Sequence, residues 1–292
     1  MAKKASKRSR IGFIGLGDIG LPMAVNIARA GFDLTVFDLR KPVMRAAVRQ
    51  GAKAAGSLAE LARECEYICV AVVNETQMER LVSGPEGIFA NAKPGSVVIA
   101  HSTMPPAAAE HFAARAHAAK LEWLDAPMSG ASPAAKAATL SFLVGGPKAL
   151  LDRCRPVLNS MGTNIFLIGP VGTGQVAKLV NGLLLHVGYV ATLEAMQLAD
   201  AYGVAEDKII ALAKVSTGNS WAVQHWGHMD WLVDFHSQGP DAVIHTHMRK
   251  DIVDALIAAK ASATSMPMTG IAMEIYPTLV TERREKRLRR KR

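Results

Sequence analysis

A glycine-rich turn between a strand and a helix, close to the start of the chain, is the feature that most constrains the fold. The apolar run Ile11–Gly15 precedes the turn and a helical pattern, Gly20–Ala30, follows it. Glycines spaced in this way permit a tight turn, close approach of a pyrophosphate to the backbone, and close packing of the helix on the sheet. The helix N-terminus offers free N–H groups to the phosphates. The sequence therefore predicts a dinucleotide-binding loop made of Gly15, Leu16, Gly17, Asp18, Ile19 and Gly20.

An acidic residue, Asp38, stands at the end of the next apolar run, at the distance from the glycines that such units use. We expect its carboxylate to bind the ribose hydroxyls and to repel a 2′-phosphate, which favours NAD over NADP. Arg40 and Lys41 follow closely and could hold that phosphate, so NADP stays a second possibility.

Short apolar runs alternate with helical stretches as far as residue 168, which is the βαβ rhythm of a parallel sheet covered by helices. From Gly174 one helical stretch runs to about Tyr202, and no convincing strand follows. Such a helix is about 42 Å long, so we expect it to join two domains and to pack against a partner chain in a homodimer or homotetramer. The strand candidates are Ile11–Gly15, Leu34–Asp38, Tyr67–Val73, Ser96–Ala100, Glu122–Asp125, Leu140–Val144 and Asn164–Ile168.

The predicted fold class is therefore α/β, with an N-terminal Rossmann doubly wound sheet followed by an all-α C-terminal domain. We expect a basic arm at 1–10, an NAD(P)-binding domain at 11–173, a helical domain at 174–281 that begins with the long interdomain helix, and a basic tail at 282–292.

The net charge of +9 resides in the two ends of the chain. Residues 1–10 carry five Lys or Arg and no acid, and residues 281–292 carry eight Lys or Arg and two acids, which leaves about −2 for the rest. A body without basic excess predicts no specific nucleic-acid partner, and we interpret the two ends as solvated segments.

Composition favours a soluble globular protein, since 50% of the residues are apolar and 20% are charged. No uninterrupted apolar run is long enough to cross a bilayer, and the basic start leads into the first strand without a signal-peptide pattern. Cys65, Cys69 and Cys154 lack zinc-like spacing, so we expect reduced, buried thiols in a cytoplasmic protein.

Five patterns occur in order between residues 11 and 251. They are Ile11–Asn26; Ser102-Thr103 with Pro105; Asp125–Gly130 with Thr139-Leu140 and Val144–Gly146; Gly172-Thr173-Gly174 with Lys178; and Lys250-Asp251. Together they resemble the β-hydroxyacid dehydrogenase family, the family of 3-hydroxyisobutyrate dehydrogenase and tartronate semialdehyde reductase. The resemblance implies hydride transfer between NAD(P) and a β-hydroxy acid or semialdehyde.

The resemblance also implies individual roles. Lys178 would be the catalytic acid and base, the segment Ser129, Gly130 and Ala131 would hold the substrate carboxylate, and the cofactor contacts beyond the loop would be Val72, Val73, Thr103 and Lys250. The chain departs from the family pattern at Ala131, Pro133 and Ala138, where the family favours glycine. It also has Gly182 where the family usually places Asn, although Asn181 lies one residue earlier.

The chemistry requires a proton carrier, because the cofactor supplies only the hydride. Lys178 suits that role about one turn into an apolar helix; without the resemblance, a lysine that reaches from the helix to solvent would be the favoured interpretation. Asn181 and Gly182 share nearly its helix face. Asn181 either orients the lysine or substrate or makes a structural hydrogen bond, and Gly182 makes room for a bulkier substrate or a close helix contact. After the fourth predicted strand, Ser96–Ala100, His101 is interpreted as structural and Ser102 as a helix cap or site residue.

The segment 221–247 holds three of the four Trp and five of the nine His. We interpret Trp221 as part of an aromatic wall of the substrate pocket. A metal site on His225, His228, His245 and His247 is the alternative, but no carboxylate completes a ligand set, so no metal is expected.

Two other functions compete with the dehydrogenase. An imine reductase has a similar fold and cofactor loop but usually lacks the lysine found here at position 178. A non-catalytic Rossmann scaffold that binds nucleic acid through its basic ends is disfavoured by the presence of Lys178, Ser129 and Lys250 together.

Overall fold

A computed structural model describes residues 9–235 and 249–290. The strands are β1 Arg10–Ile14, β2 Asp33–Phe37, β3 Lys53–Ala54, β4 Tyr67–Val70, β5 Val97–Ala100, β6 Glu122–Asp125, β7 Met128–Ser129, β8 Leu140–Gly145 and β9 Gly162–Gly169. The helices are α1 Gly20–Arg29, α2 Lys41–Val48, α3 Leu58–Glu64, α4 Glu75–Val82, α5 Ile88–Asn91, α6 Pro106–Ala118, α7 Ala131–Ala137, α8 Lys148–Asn159, α9 Thr173–Ala201, α10 Glu206–Lys214, α11 Trp221–Gln224, α12 His228–Phe235, α13 Arg249–Ala261 and α14 Pro267–Arg290.

All nine strands form one sheet, in the order β3-β2-β1-β4-β5-β6-β8-β7, with β9 paired to β8. Strands β1 to β6 run parallel to one another. The strand order reverses between β1 and β4, and this switch point is where doubly wound sheets bind ligands, outside the carboxyl ends of the strands. The predicted Rossmann sheet is confirmed, and a ligand is expected at its carboxyl edge.

The central strands are apolar on both faces because helices cover both sides of the sheet. Side chains alternate between two cores: Phe13, Cys69 and Ile99 belong to one, whereas Ile14, Ile68 and Val98 belong to the other. Continuous apolar runs such as Tyr67–Val70, which is wholly buried, follow directly from this arrangement.

The last strands differ from the expected parallel pattern. β8 runs antiparallel to β6 and to β7, and β9 is parallel to β8. The chain between β6 and β8 forms the short strand β7, which itself pairs with β8, and the short helix α7. The strand predicted as Tyr67–Val73 ends at Val70, and the two-residue strands β3 and β7 were not predicted.

The chain divides into two compact units, the first ending at Lys178 and the second beginning at Leu179, within α9. The domain boundary predicted at 173/174 falls in the first turn of the same helix and stays a prediction. In the described part of the second unit every regular element is a helix, as predicted, and its core includes Tyr189, Leu193 and Tyr276.

The predicted basic tail does not begin as a separate segment at residue 282, because α14 continues as far as Arg290. Arg283 donates to Asp230 at 2.7 Å and to Glu206 at 3.0 Å, and it lies over the ring of Trp226 at 4.2 Å. Burial opposes its charge, but these partners raise the pKa of Arg283 further above its ordinary value. At least this part of the expected solvated end is therefore integrated into the helical unit.

Two expectations drawn from composition are tested directly. The three cysteines are buried and unpaired as predicted, and burial raises the pKa of Cys65 to about 12. By length and composition, α9 is the one helix in the described ranges that could cross a bilayer, and a third of its most apolar window is buried. The core helix of a soluble protein passes the same test, so α9 is weak support for a membrane span.

Candidate active site

The glycine turn connects β1 to α1 at the switch point of the sheet. Gly15 has φ +89°, and a Cβ there would approach the carbonyl oxygen of Ala71 to 2.4 Å. A Cβ at Gly20 would lie 1.9 Å from the carbonyl oxygen of Gly15. Around Gly17, by contrast, no atom lies within 4 Å of a Cβ placed on it. Two glycines are thus required by the turn itself, and the third leaves open space in which a pyrophosphate can approach the backbone.

Asp38 follows β2 and holds the glycine loop in place. Its carboxylate accepts a hydrogen bond from the amide of Leu16 at 2.7 Å. It accepts three more from Arg40, through the amide at 2.8 Å, Nε at 3.1 Å and Nη2 at 3.2 Å. Burial opposes ionisation, but these hydrogen bonds outweigh it and lower the pKa of Asp38. The Arg40 guanidinium also donates to the carbonyl of Leu16 at 3.1 Å. Asp38 is therefore ionised at neutral pH, and Arg40 is turned toward the loop.

The ends of β4 and β5 supply the next part of the edge. Val72 and Val73 follow β4, and Thr103 lies in the segment that follows β5. The Ser102 hydroxyl accepts a hydrogen bond from the amide of Val72 at 3.0 Å, which joins the two segments. The interpretation of Ser102 as a helix cap is wrong. Pro105 occupies the N-cap position of α6, and the Ser102 hydroxyl instead bonds to the amide of Val72.

His101 has the structural environment that the sequence favoured. It is buried beside Phe13 and Phe142, and its Nδ1 lies 2.9 Å from the carbonyl oxygen of Ala126. Burial lowers its pKa to about 4, so the imidazole is neutral at physiological pH and Nδ1 donates to that carbonyl.

The predicted substrate segment joins β7 to α7. Ser129 ends β7, Gly130 has φ +126°, and Ala131 has φ +54° at the start of α7. A Cβ at Gly130 would lie 2.4 Å from the Cβ of Ala134, so this turn requires glycine. Ala131, where the family favours a second glycine, adopts a conformation that residues with a Cβ rarely use.

Two hydrogen bonds connect the substrate segment to the cofactor loop. The buried side chain of Asn26 on α1 donates to the carbonyl of Ala135 at 2.7 Å. The hydroxyl of Ser132 donates to the carbonyl of Asp18 in the glycine loop at 3.2 Å. The two predicted binding segments are therefore neighbours, although more than a hundred residues separate them in the sequence.

Lys178 lies near the start of α9, in the first unit and partly buried. The turn before it approaches the same edge of the sheet: the amide of Gly172 donates to Asp125 Oδ1, at the end of β6, at 3.1 Å. Gln175, one residue into the apolar part of the helix, is fully buried and bonds to the segment Ser102–Met104. The sequence motifs around residues 15, 38, 72, 103, 129 and 174 therefore come together at the carboxyl edge of one sheet.

The other predicted site residues belong to the second unit. Asn181 is exposed on α9, and a Cβ at Gly182 would meet Asp251 and His186 at 3.9 Å, an ordinary contact distance. Lys250 on α13 donates to Asp254 at 2.7 Å. Trp221 begins α11, is about half exposed, and stacks on His225 with ring centroids 4.2 Å apart.

No group of three or more potential metal ligands comes together within residues 9–235 and 249–290. His225 and His228 instead flank the ring of Trp221, at centroid distances of 4.2 and 5.2 Å. His245 and His247, the other half of the metal hypothesis, lie outside the described residues.

Two residues that build this edge received no role from the sequence. In the sequence, Asp125 is only the first residue of a motif, and Gln175 lies between Gly174 and Lys178 without an assigned role. Two sequence signals could have identified them. Asp125 is an acid at the end of a strand, and Gln175 is an amide side chain immediately after a glycine in an apolar helix. What could not be read is their burial, because Asp125 and Gly172 are 47 positions apart.

Family models cover both units of the chain. The model of the NAD-binding domain of 6-phosphogluconate dehydrogenase matches residues 10–169, and a model described as NAD-binding of NADP-dependent 3-hydroxyisobutyrate dehydrogenase matches residues 172–287. The motifs recognised in the sequence fall within these two matches.

Individual proteins are similar over nearly the whole chain. The NAD-dependent L-serine dehydrogenase of Pseudomonas aeruginosa is 36% identical, over 94% of this chain and 93% of that protein. The 2-(hydroxymethyl)glutarate dehydrogenase of Eubacterium barkeri is 32% identical, over 92% of this chain and 89% of its own. The solved structure of 3-hydroxyisobutyrate dehydrogenase from Mycobacterium tuberculosis with L-serine has a TM-score of 0.80 and 29% identity, and the match covers 94% of both chains.

The imine reductases are more distant. The enzyme from Myxococcus stipitatus, solved with NADP⁺, has a TM-score of 0.67 at 18% identity over 92% of each chain, a likeness that shows the fold alone. Sequence motifs, family models and relatives agree instead on one assignment: the chain belongs to the β-hydroxyacid dehydrogenase family of NAD(P)-dependent oxidoreductases.

Proposed function

We propose that the protein interconverts a β-hydroxy acid and its semialdehyde, with Lys178 as the group that accepts and returns the hydroxyl proton. The observation that carries the proposal is the convergence, at one sheet edge, of the open glycine loop, the Ser129–Gly130 turn, the Thr103 segment and the first turn of the helix that bears Lys178. A hydride acceptor, a carboxylate site and a proton carrier are the three elements that this reaction needs.

The residues present fit a dinucleotide. The space over Gly17 admits a pyrophosphate, and the ionised Asp38 stands where the ribose hydroxyls of such a cofactor are bound. When bound, the nicotinamide accepts the hydride in oxidation and returns it in reduction. Val72, Val73 and Thr103 border its expected position, and we assign Lys250 a contact with the cofactor.

The chain's own residues then handle the carboxylate and the proton. The hydroxyl of Ser129 and the backbone amides of Gly130 and Ala131 donate hydrogen bonds to the substrate carboxylate and fix the hydroxyl-bearing carbon. In oxidation the Lys178 amine accepts the hydroxyl proton as the C–H bond gives up its hydride. In reduction the Lys178 ammonium returns a proton to the carbonyl oxygen.

The substrate class follows from the relatives' chemistry. L-serine, 3-hydroxyisobutyrate and 2-(hydroxymethyl)glutarate, the compounds in the names of the similar proteins, each carry a hydroxymethyl group on the carbon next to a carboxylate. We propose a substrate of this type, with Asn181 and Trp221 against its variable side chain. An aromatic wall at Trp221 favours a substituent on that carbon larger than the amino group of serine.

Cofactor choice is proposed to favour NAD. The Asp38 carboxylate repels a 2′-phosphate, and Arg40 is committed to Asp38 and the Leu16 carbonyl. Asp38→Ser removes the repulsion and releases Arg40, so the ratio of kcat/KM for NADP to that for NAD is expected to rise on the order of tenfold or more. A wild-type preference for NADP would contradict the assignment of Asp38.

The decisive test is Lys178→Met with a panel of hydroxymethyl carboxylates, followed by nicotinamide absorbance. We expect turnover to fall by at least about 10³-fold, while NADH still binds, as measured by fluorescence titration. Lys148→Met, which replaces an exposed side chain on α8 of the first unit, serves as the control and should keep wild-type activity. Substantial turnover by the Lys178 variant would refute the role of this residue.

We further propose that the protein is a soluble cytoplasmic homodimer or homotetramer. Val176, Val180, Leu184 and Leu198 are exposed on α9, and their spacing places them within about 80° of one another round the helix. A second copy that presents the same stripe would cover it through a two-fold axis. The buried polar residues Gln175 and His186 on the same helix favour this interpretation over a membrane span.

A further inference from the structure

Asp125 occupies an unusual position for an acid. It ends β6 and is completely buried, and its Oδ1 accepts the hydrogen bond from the Gly172 amide at 3.1 Å. Burial raises the pKa of Asp125 to about 7, although the amides of Gly172, Gly174 and Gln175 oppose that shift. The carboxyl group therefore faces the backbone N–H groups that open α9.

The glycines around Asp125 leave space for its carboxyl group. A Cβ at Gly145, at the end of β8, would lie 2.5 Å from Asp125 Oδ2. A Cβ at Gly174 would lie 2.7 Å from the same oxygen and 2.4 Å from the carbonyl oxygen of Leu143. The end of β6, the end of β8 and the first turn of α9 thus meet at one side chain. A shift of the helix start by even a fraction of an ångström would disturb these contacts.

Gln175 provides a second anchor on the same turn. Its Nε2 donates to the carbonyl of Ser102 at 3.0 Å, and its Oε1 accepts from the amide of Met104 at 3.1 Å. Both partners flank Thr103, so the helix start is tied to a segment that borders the proposed nicotinamide position.

Lys178 lies four residues after Gly174 and three after Gln175, on the same helix. Residues at these spacings are stacked one turn apart, so the placement of the first turn sets the direction in which the lysine projects. A misplacement of about 1 Å at a reacting group can cost on the order of a hundredfold in rate.

We propose that Asp125 is a positioning residue for Lys178: with Gln175, it fixes the first turn of α9 and thereby holds the amine in reach of the substrate hydroxyl. The inference rests on the proposed function of Lys178. An anchor made of a buried carboxyl group is a poor device for stability alone, because the desolvation of such a group is costly. Its value lies in the geometry it imposes.

The test begins with Asp125→Asn, which keeps the shape but presents an amide NH₂ to the N–H groups of Gly174 and Gln175. We expect kcat to fall about a hundredfold, with KM for the hydroxy acid and the Kd for NADH changed by less than about threefold. Glu79→Gln, which breaks an ion pair with Arg115 elsewhere in the first unit, is the control for a general loss of stability and should retain wild-type kcat.

Chemical rescue by an added amine tests whether Asp125 acts by positioning Lys178 or acts directly on substrate or cofactor. Methylamine should restore turnover to Lys178→Ala, and it should restore Asp125→Asn/Lys178→Ala to the same level, because a diffusible amine does not depend on where α9 begins. Rescue of the double variant at least about tenfold weaker would overturn the proposal, since Asp125 would then act on substrate or cofactor. Unchanged kcat in Asp125→Asn would overturn it as well.

A measurement without turnover distinguishes failure of this inference from failure of the proposed function. Trace acetylation with acetic anhydride, read by peptide mass spectrometry, gives the reactivity of Lys178 relative to exposed Lys148 in the same sample. Asp125→Asn should change that ratio at least about threefold; an unchanged ratio overturns the positioning role. If Lys178→Ala is as active as wild type, the proposed function fails, and the ratio still decides whether Asp125 fixes the lysine.

Gln175→Met supplies a second variant should Asp125→Asn not fold. It removes both hydrogen bonds to the Ser102–Met104 segment and keeps the side-chain volume. The same pattern is expected: a lower kcat, a changed Lys178 reactivity and equal rescue by methylamine with and without the substitution. Wild-type kcat and reactivity in this variant would also contradict the anchoring of the first turn.

Discussion

Ala131 adopts φ +54° immediately after the Ser129–Gly130 turn, where a Cβ costs about 1 kcal/mol. Replacing it with glycine removes that cost, so Ala131→Gly should raise the free energy of unfolding by up to about 1 kcal/mol in urea titrations. Ala135→Gly, in the interior of the same helix and buried, is the matched control and should lower it by about 1 kcal/mol or more. Equal destabilisation by both variants would show that Ala131 is not in the left-handed region.

The buried carboxyl group of Asp125 should make the free energy of unfolding depend on pH. Its pKa is about 7 in the folded protein against an ordinary value of 3.8. Between these values the folded state holds a proton that the unfolded state has released, so the stabilisation is complete below about pH 3.8 and is lost as the pH rises through about 7. Asn does not titrate, so the stability of wild type minus that of Asp125→Asn should fall by on the order of 1 kcal/mol or more from pH 5 to pH 8.

Unfolding of both proteins by urea at the two pH values measures this difference. Other groups titrate in the same way in both proteins, so their effect on stability cancels in the difference. His101 is such a group, and its lowered pKa would make stability rise with pH. A difference that stays constant from pH 5 to pH 8 would mean that Asp125 is not buried as a titrating group.

At the scale of elements, α9 contains two interior glycines in different surroundings. A Cβ at Gly182 would touch Asp251 and His186 at 3.9 Å, and a Cβ at Gly188 would have nothing within 4 Å. Because neither replacement clashes and glycine weakens a helix interior, Gly182→Ala and Gly188→Ala should each stabilise the protein by about 0.5–1 kcal/mol. Thermal unfolding checks the stability, and steady-state assays check whether Gly182 also matters to the substrate.

The two hypotheses for Gly182 then separate. If Gly182 leaves room for substrate, Gly182→Ala should raise KM while Gly188→Ala leaves it unchanged. If Gly182 only permits close packing of helices, both variants should keep wild-type KM. Destabilisation by Gly182→Ala would contradict the observed 3.9 Å spacing to Asp251.

Sequence patterns predicted the elements with strong local signals. Apolar runs located β1, β2, β5, β6 and β8 to within a few residues, and the long helix was predicted from Gly174 against an observed start at Thr173. The two-residue strands β3 and β7 carry too few residues for any period to appear. Strand direction after β6 was not predicted, because alternation of side chains is the same in parallel and antiparallel sheets.

The same limit applies to the site. Glycine spacing and Asp38 were readable because the cofactor loop is local in sequence. The carboxyl group of Asp125 was not, because its surroundings come from β8 and from the start of α9. Residue type identifies what a side chain can do, whereas tertiary contacts decide which groups it faces.

For the molecule as a whole, the exposed stripe on α9 predicts self-association. Leu184, at 75%, is the most exposed residue of that stripe. Leu184→Glu should place a charge in the proposed contact and shift the wild-type dimer or tetramer toward a smaller species in light scattering after size exclusion. Val215 is 86% exposed and lies outside α9, at the end of α10. Val215→Glu is therefore the control and should leave the assembly unchanged. A monomeric wild-type protein would exclude this contact.

The ion pairs of Arg283 with Asp230 and Glu206 determine how late in synthesis the helical unit can be completed. Arg283 follows Asp230 by 53 residues and Glu206 by 77 residues, so both acidic partners leave the ribosome before the arginine that pairs with them. Until then, Asp230 and Glu206 lack their shared cation, and the nascent helical unit cannot complete its charge pairing. This unit therefore completes its charge pairing only after Arg283 has emerged, and a nascent chain stalled before residue 283 would display the unit in an unfinished state.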